Sequence, residues 1–495
     1  MENQTLLMFP LSGALFFFAW IFFGVTSPSR LPLSDWKVPG IVKWFAVLGS
    51  ILLGPVVPLV IYTVKLTRSA VNYRKESEER REQKRLNDIM LENSRGMFMT
   101  GTGDEAEAGA VNMVKKLILQ GVDKGASDIF IDPETTGSNI VRMRVDGSLR
   151  HICTLEPSMA KGVVGAIKVI AGMDITERRR PQDGAFSAKI ESELISFRVA
   201  SVGAYSGEKV SIRILGSASG PRSLSDLGLS AEDFDVIDKA IKLPSGMVLM
   251  CGPTGSGKTS TLYAMLKSID YSIKNVISIE DPIENIMPQI SQMEVNNKAG
   301  ITFGSLLRNA LRQNPDIICL GEIRDEETAE IAVQAAQTGH LIIATVHSND
   351  NLGTVDRLQN LGVPLRTVAA TLRVIISQRL VRTLCPACKK HITLPPELQE
   401  YFQQADLPTD DVYAPCGCPQ CDGTGYAGRR AVFDVMVMNH QLRDLLEDES
   451  TTLATVQSYI EREHGSSMMF YKGYQLVAQG ICSIEEINRI ALNLG

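Results

Sequence analysis

The sequence predicts an α/β protein in four parts. A membrane-spanning helical hairpin comes first, then a charged linker and an α+β domain. A larger domain follows, built on a parallel sheet with helices on both faces. Three observations carry this reading. The first 65 residues hold two long runs free of charge. Apolar stretches of strand length alternate with helical periodicity between about residues 246 and 346. A glycine-rich loop ending in Lys258-Thr259 falls between the first of those strands and the first of those helices. A chain of 495 residues has room for two to four domains, and a net charge of −6 with 44% apolar residues makes no whole-chain case for nucleic-acid binding.

Asn3 to Ser29 carries no charged residue, and neither does Trp44 to Val64. About 20 apolar residues at 1.5 Å rise cross a bilayer core, so both runs are expected to span. A signal peptide would need a basic start, and only Glu2 lies there. Gly54, Pro55 and Pro58 predict a kinked or re-entrant second helix. Arg30, Lys37 and Lys43 lie between the runs, whereas nine basic residues lie between Lys65 and Arg95. Basic flanks stay on the cytoplasmic side, so both termini are expected there. Residues 66–105 then read as a linker. Its "RKESEERREQKR" (Arg74–Arg85) mixes signs at helical spacing, as a solvated helix does.

Residues 106–215 read as the α+β domain. The run "AVNMVKKLILQGVDKGA" is helical. "SDIFID", "NIVRMRVDGSLRHI", "AFSAKI", "LISFRVASV" and "KVSIRIL" are short alternating strands punctuated by Gly and Asp. A Gly/Ser/Pro segment, "GSASGPRSL", marks a linker over 216–230. The remainder, 231–495, opens with strand "GMVLMC", helix Lys258–Ser268, strand "NVISIE", helix "FGSLLRNALRQ", strand "DIICLGE", helix "TAEIAVQAAQTG" and strand "HLIIATV". Strand–helix alternation of this kind builds a parallel sheet covered on both faces.

Gly252-Pro253-Thr254-Gly255-Ser256-Gly257-Lys258-Thr259 fits the phosphate-binding loop, with Ser260 following. Glycines let backbone N–H groups wrap phosphate oxygens, the Lys258 ammonium neutralises them, and the Thr259 hydroxyl is the expected Mg²⁺ ligand. "PDIICLGEIRD" is an apolar strand ending in acid, and Glu322 is expected to orient the attacking water or act as base. Glu280, Asp281 and Glu284 follow another apolar strand. Ligands sit beyond the carboxyl ends of parallel strands, so these acids are expected on the Mg²⁺ side. Of the two histidines flanking "LIIATV", His347 at the carboxyl end is the better γ-phosphate sensor, and His340 reads as structural. Cys385-x-x-Cys388, 29 residues, then Cys418-x-x-Cys421 is the spacing of a four-thiolate Zn²⁺ site in a subdomain over 380–426. Cys416 reads as a bystander or a substitute ligand. Cys153, Cys251, Cys319 and Cys482 stand in apolar settings and read as packing residues.

The series "SDIFIDP", "ERRRPQDG", "SFRVASV", the loop at 252–259, "IEDPIE", "LRQNPDIICLGEIRD", "TGHLIIATVHSND", "QRLVRTLCPAC" and "CPQCDGTGYAGRRAVFDV" resembles, in order, the secretion ATPases that assemble type IV pili and type II secretion pseudopili. The resemblance spans Ala110 to the C-terminus. It implies a PAS-like domain before a RecA-like ATPase domain, ATP bound between the two, and a homo-hexameric ring. It also implies an inner-membrane platform protein and pilin-like subunits as partners. Arg198 and Arg213 match the family's phosphate-contacting arginines. The tetracysteine subdomain is typical of assembly motors and missing from retraction motors. Conjugative DNA-transfer ATPases are the rival class. The chain departs from the pattern at Asn314, where the family commonly has Asp, and in placing a hairpin where a soluble docking domain is usual.

Overall fold

The computed structural model describes residues 80–81, 83–93, 98–99, 105–191, 193–215, 223–448, 450–464 and 468–491. Among these, no helix is long and apolar enough to cross a membrane. The two expected spans lie outside the described residues, as does most of the expected linker.

The first domain is an eight-stranded sheet with two helices. Its elements are β1 (Met90–Asn93), β2 (Phe98–Met99), α1 (Glu105–Asp123), β3 (Ala126–Pro133), β4 (Asn139–Val145) and β5 (Ser148–Leu155). They are followed by α2 (Pro157–Ile170), β6 (Gln182–Ile190), β7 (Glu193–Ala204) and β8 (Gly207–Leu215). The spatial order is β2-β1-β6-β7-β8-β3-β4-β5. All its strand pairs are antiparallel. Inward residues such as Ile129, Ile131, Val141, Met143, Phe197 and Val199 are fully buried, one residue in two, as a sheet with one wet face requires. The β4–β5 hairpin closes on Asp146-Gly147, both at positive φ (51° and 79°), the two-residue turn that "DG" favours. The expected linker needs correction here. Residues 80–81 and 83–88 are helical, but β1 joins the sheet by pairing with β6, and Leu91 is fully buried. A four-residue strand is too short for its alternation to show in sequence.

The second domain holds α3 (Ala231–Ala240), β9 (Gly246–Cys251), α4 (Lys258–Lys267), β10 (Val276–Glu280), β11 (Ser291–Glu294) and α5 (Phe303–Ala310). Next come β12 (Ile317–Ile323), α6 (Glu326–Gln337), β13 (Leu341–Val346), α7 (Asn351–Asn360), α8 (Leu365–Thr371) and β14 (Leu372–Leu384). The chain continues through β15 (Lys390–His391), α9 (Pro396–Gln404), β16 (Tyr413–Ala414) and β17 (Tyr426–Val437). It ends with α10 (His440–Glu447), α11 (Leu453–His464), α12 (Met468–Ala478) and α13 (Ile484–Ala491). Its main sheet runs β11-β10-β12-β13-β9-β14-β17. Every neighbour is parallel except β17, which pairs antiparallel with β14. β9 and β13 are buried at each residue. Met247, Leu249, Ile318, Leu320, Ile342 and Ala344 face one apolar layer. Val248, Met250, Ile317, Cys319, Leu341 and Ile343 face the other, against α3 and α4. This period of two on both faces is the reason the strands read as continuous apolar runs. β11, β14 and β17 were not foreseen as strands. β14 and β17 extend the sheet past β9 and each carries three charged residues, Arg373, Arg379 and Arg382 in one and Arg429, Arg430 and Asp434 in the other, which interrupts the apolar run that marks the other strands.

A small lobe continues from β14. Val381, Leu394, Phe402, Val412, Val477 and Ile487 share its core, so the lobe extends beyond 380–426 to α12 and α13. Asn314 takes φ 50° after a short 3₁₀ turn. Asn and Asp both tolerate that conformation, which explains the departure from the family pattern.

Candidate nucleotide site and tetracysteine centre

Three neighbouring parallel strands, β12, β13 and β9, point their carboxyl ends to one place. After β9 the chain turns through Gly252, Gly255 and Gly257, each at positive φ. A Cβ on Gly252 would lie 2.5 Å from the Gln378 carbonyl, so no other residue fits there. A Cβ on Gly255 would meet nothing within 4 Å, which marks the open side of the loop. Lys258 opens α4 and is buried. Its Nζ donates to the carbonyls of Gly252 (2.6 Å) and Pro253 (3.1 Å). Burial pushes this ammonium below its ordinary pKa, with the Glu322 carboxylate among the influences opposing that. The Ser256 hydroxyl is buried and has no hydrogen-bond partner among the described residues. An orphan donor, a desolvated cation and an open glycine turn are the groups that an anionic phosphate chain would satisfy. Pro253, Thr254 and Ser260 are exposed, and Thr259 is half-buried beside them.

Glu322, on β12, is buried. One carboxylate oxygen meets His347 Nε2 at 2.7 Å and the other pairs with Arg324. Arg324 also approaches Asp281 Oδ2 at 3.4 Å, and its bond to Glu322 raises its own pKa. His347 follows β13 and is half-exposed. His340, at the other end, engages the Ala335 carbonyl through Nδ1 at 3.0 Å. The acids after β10 fall into different settings. Glu280 is buried, with its oxygens taken by Tyr263, Ser278 (2.7 Å) and Gln292 (3.0 Å). Glu284 is exposed overall, yet the atoms packed around its carboxyl raise its pKa; Glu280 adds to the rise and Arg213 opposes it. Arg198 and Arg213 sit directly opposite each other on β7 and β8. Both are exposed, and Arg213 Nε holds Asp128 at 3.0 Å. Like charges paired across strands repel, and an anion between them relieves that.

Residues the sequence reading missed lie on β14 and just past β12. Gln378 accepts from Thr261 Oγ1 at 2.8 Å and walls the glycine turn. Buried Arg379 donates to Asn349 O at 2.6 Å. Neither has a local sequence signal. Arg324, two residues beyond Glu322, was visible in "GEIRD" but not singled out.

In the lobe, the Sγ atoms of Cys385, Cys388, Cys418 and Cys421 all lie within 4.8 Å of one another. Cys385–Cys418 is 3.9 Å, and Cys388–Cys421 and Cys418–Cys421 are 3.8 Å. A tetrahedron with Zn–S bonds of about 2.3 Å has edges of about 3.8 Å, whereas a disulfide needs about 2.05 Å. Backbone N–H groups of Gly417, Cys418 and Gly425 point at the sulfurs. Burial opposes ionisation of Cys421, but those from Cys418 and Gly425 hold its pKa below the ordinary thiol value. The four-thiolate set fits Zn²⁺. Cys416 is exposed and outside the cluster, and Cys251, Cys319 and Cys482 are buried.

A glycine turn between a buried parallel strand and a helix, with a carboxylate and a histidine at the next two strand ends, defines a P-loop ATPase. The family model described as "Type II/IV secretion system protein" matches residues 104–489, and the chain belongs to that family. It is 37% identical over 389 residues to a putative type II secretion system protein E of Escherichia coli, covering 78% of each chain. It is also 37% identical over 414 residues to the type IV pilus assembly ATPase PilB of Pseudomonas aeruginosa, covering 82% of this chain and 72% of that one. Among solved structures it resembles the Legionella pneumophila ATPase DotB (TM-score 0.58, 22% identity, 77% of this chain and 95% of that one). The pilus retraction motor PilT with bound ADP gives a TM-score of 0.52 at 24% identity, over 76% of this chain and 96% of that one. At those identities the likeness concerns the fold.

Proposed function

We propose that the chain is an ATP-driven motor that assembles type IV pilus or type II secretion pseudopilus subunits from the cytoplasmic face of the inner membrane. The observation that carries this reading is the coexistence of the loop at 252–259 and the tetracysteine cage in one chain of this family. ATP is the substrate. Lys258 exchanges its two loop carbonyls for phosphate oxygens, and Ser256 gains the partner it lacks. Glu322, held by His347 and Arg324, orients the attacking water. His347 and the acids Asp281 and Glu284 line the same end of the sheet, while Glu280 fixes the strand end through Tyr263. Arg198 and Arg213, on a PAS-like first domain, answer charge developing on the phosphates. Thr259 is the residue that would hold Mg²⁺, which when bound shields phosphate charge. The lobe's four thiolates hold Zn²⁺ as a structural ion.

The motor works as a homo-hexamer with an inner-membrane platform protein, and the charge-free runs before Lys65 anchor it. In cells, Lys258→Ala removes surface filaments or secretion. A retraction motor gives the opposite phenotype, with filaments accumulating. Turnover stimulated by DNA supports the conjugative class instead.

A further inference from the structure

The two domains meet at the tetracysteine loop. Asp422 follows the last cysteine at φ 51°, and its carboxylate leaves the cage to face the first domain. Oδ2 accepts from Lys124 Nζ at 3.1 Å, just past α1, and from Arg150 NH1 at 2.9 Å on β5. The reciprocal contact comes from the β4–β5 turn. Asp146 Oδ2 accepts the Gly428 backbone N–H at 3.1 Å, and Arg429 Nε lies 3.7 Å from its other oxygen. Arg150 also lies 3.9 Å from Asp146, so charges of alternating sign run Lys124, Asp422, Arg150, Asp146, Arg429 across the boundary. Ser148 Oγ takes a further donor from Arg382 NH1 at 3.3 Å. Arg382 lies over the Tyr426 ring at 4.0 Å and is anchored by buried Glu486. A single exposed ion pair contributes little, but an interlocked set with a largely covered member holds a geometry. Arg150 is that member, with a side chain 16% exposed.

We infer that Asp422 is a positioning residue for ATP turnover: it docks the edge of the first domain on the tetracysteine loop and so sets where Arg198 and Arg213 stand. The sheet order β7-β8-β3-β4-β5 makes the connection. From docked β5 to arginine-bearing β8 is three strand spacings, roughly 14 Å of hydrogen-bonded sheet. A sheet moves as one body, so a tilt at β5 displaces the arginines. The thiolates fix the loop, and Asp422 transmits that fixed position. The inference rests on the proposed role of Arg198 and Arg213.

The test uses the full chain with dyes introduced at Tyr205 on the first domain and Ile273 on the second, both strongly exposed. Asp422→Asn should broaden the interdomain distance distribution. It should lower kcat about threefold to tenfold, the size expected for two partly exposed ion pairs, with KM for ATP changed less. Metal should stay at the wild-type content, and Asp422→Glu should restore both readouts. A kcat that falls without a change in distance overturns the inference. So does a distance change that leaves kcat intact, or a loss of metal that accompanies the loss of turnover. Arg213→Ala separates the premises. If it leaves turnover intact, the arginine reading fails, whatever Asp422→Asn does to the distance.

Discussion

The nucleotide site and the tetracysteine lobe solve opposite problems. The first gathers Lys258, Glu322, His347 and Gln378 from four strands or strand ends, and several of its polar groups have only provisional partners. Lys258 rests on its own loop's carbonyls, and the Ser256 hydroxyl has none among the described residues. The second gathers four sulfurs from one stretch of 37 residues, with backbone N–H groups aimed at them. A site that must bind, react and release keeps interactions to be exchanged. A site that only holds a shape closes them. The comparison predicts that variants of the first lose turnover while keeping the fold, and that variants of the second do the reverse.

The largest effect is expected at Lys258. Lys258→Ala should lower ATP turnover on the order of a thousandfold, because a buried cation facing phosphate is replaced by nothing. The melting temperature should hold, since the lysine's present partners are only loop carbonyls. A matching loss of stability would blur the comparison. In the lobe, Cys418→Ser should drop bound metal below one per chain and raise hydrogen exchange across residues 385–426. ATP binding at the loop should persist.

Glu486 tests how the lobe is tied to the sheet. Its side chain is buried between Arg382 on β14 and Arg489 on α13. Burial alone would raise its pKa, but hydrogen bonds from both arginines hold it below the ordinary glutamate value. A depressed carboxyl contributes stability above its unfolded pKa, about 4.3, and loses it as pH falls through the folded value. Glu486→Gln should therefore cost about 3 kcal/mol near pH 7 in denaturant unfolding. The difference from wild type should shrink in acid. A pH-independent difference would mean that packing, not charge, ties the lobe down. The smallest effect belongs to Cys416→Ser, which should leave metal content unchanged because that thiol lies outside the cage.

Much of both regions was legible in the sequence, for different reasons. The cysteine spacing and the glycine loop are local, so side-chain chemistry and separation alone announced them. Glu322 and His347 were legible because they end apolar strands, and parallel topology puts strand ends together. The arrangement of the acids was not legible. Glu280 and Glu284 are four residues apart, yet one is consumed by Tyr263, Ser278 and Gln292 while the other is exposed overall, its carboxyl pushed up chiefly by the atoms packed around it. Gln378 and Arg379 were missed because their strand mixes three arginines into its apolar residues, and neither belongs to a local motif. The contacts of Asp422 with Lys124 and Arg150 span 298 and 272 residues, a separation at which no motif speaks. β1 was hidden by its brevity inside a charged stretch.

Glu322, at the end of β12, is assigned to hydrolysis and the loop at 252–259 to binding. The direct measurement is ATP binding and phosphate release by full-length Glu322→Gln, side by side. Affinity for ATP should stay within a fewfold of wild type, with phosphate release lower by about two to three orders of magnitude. Phosphate release equal to wild type would contradict it.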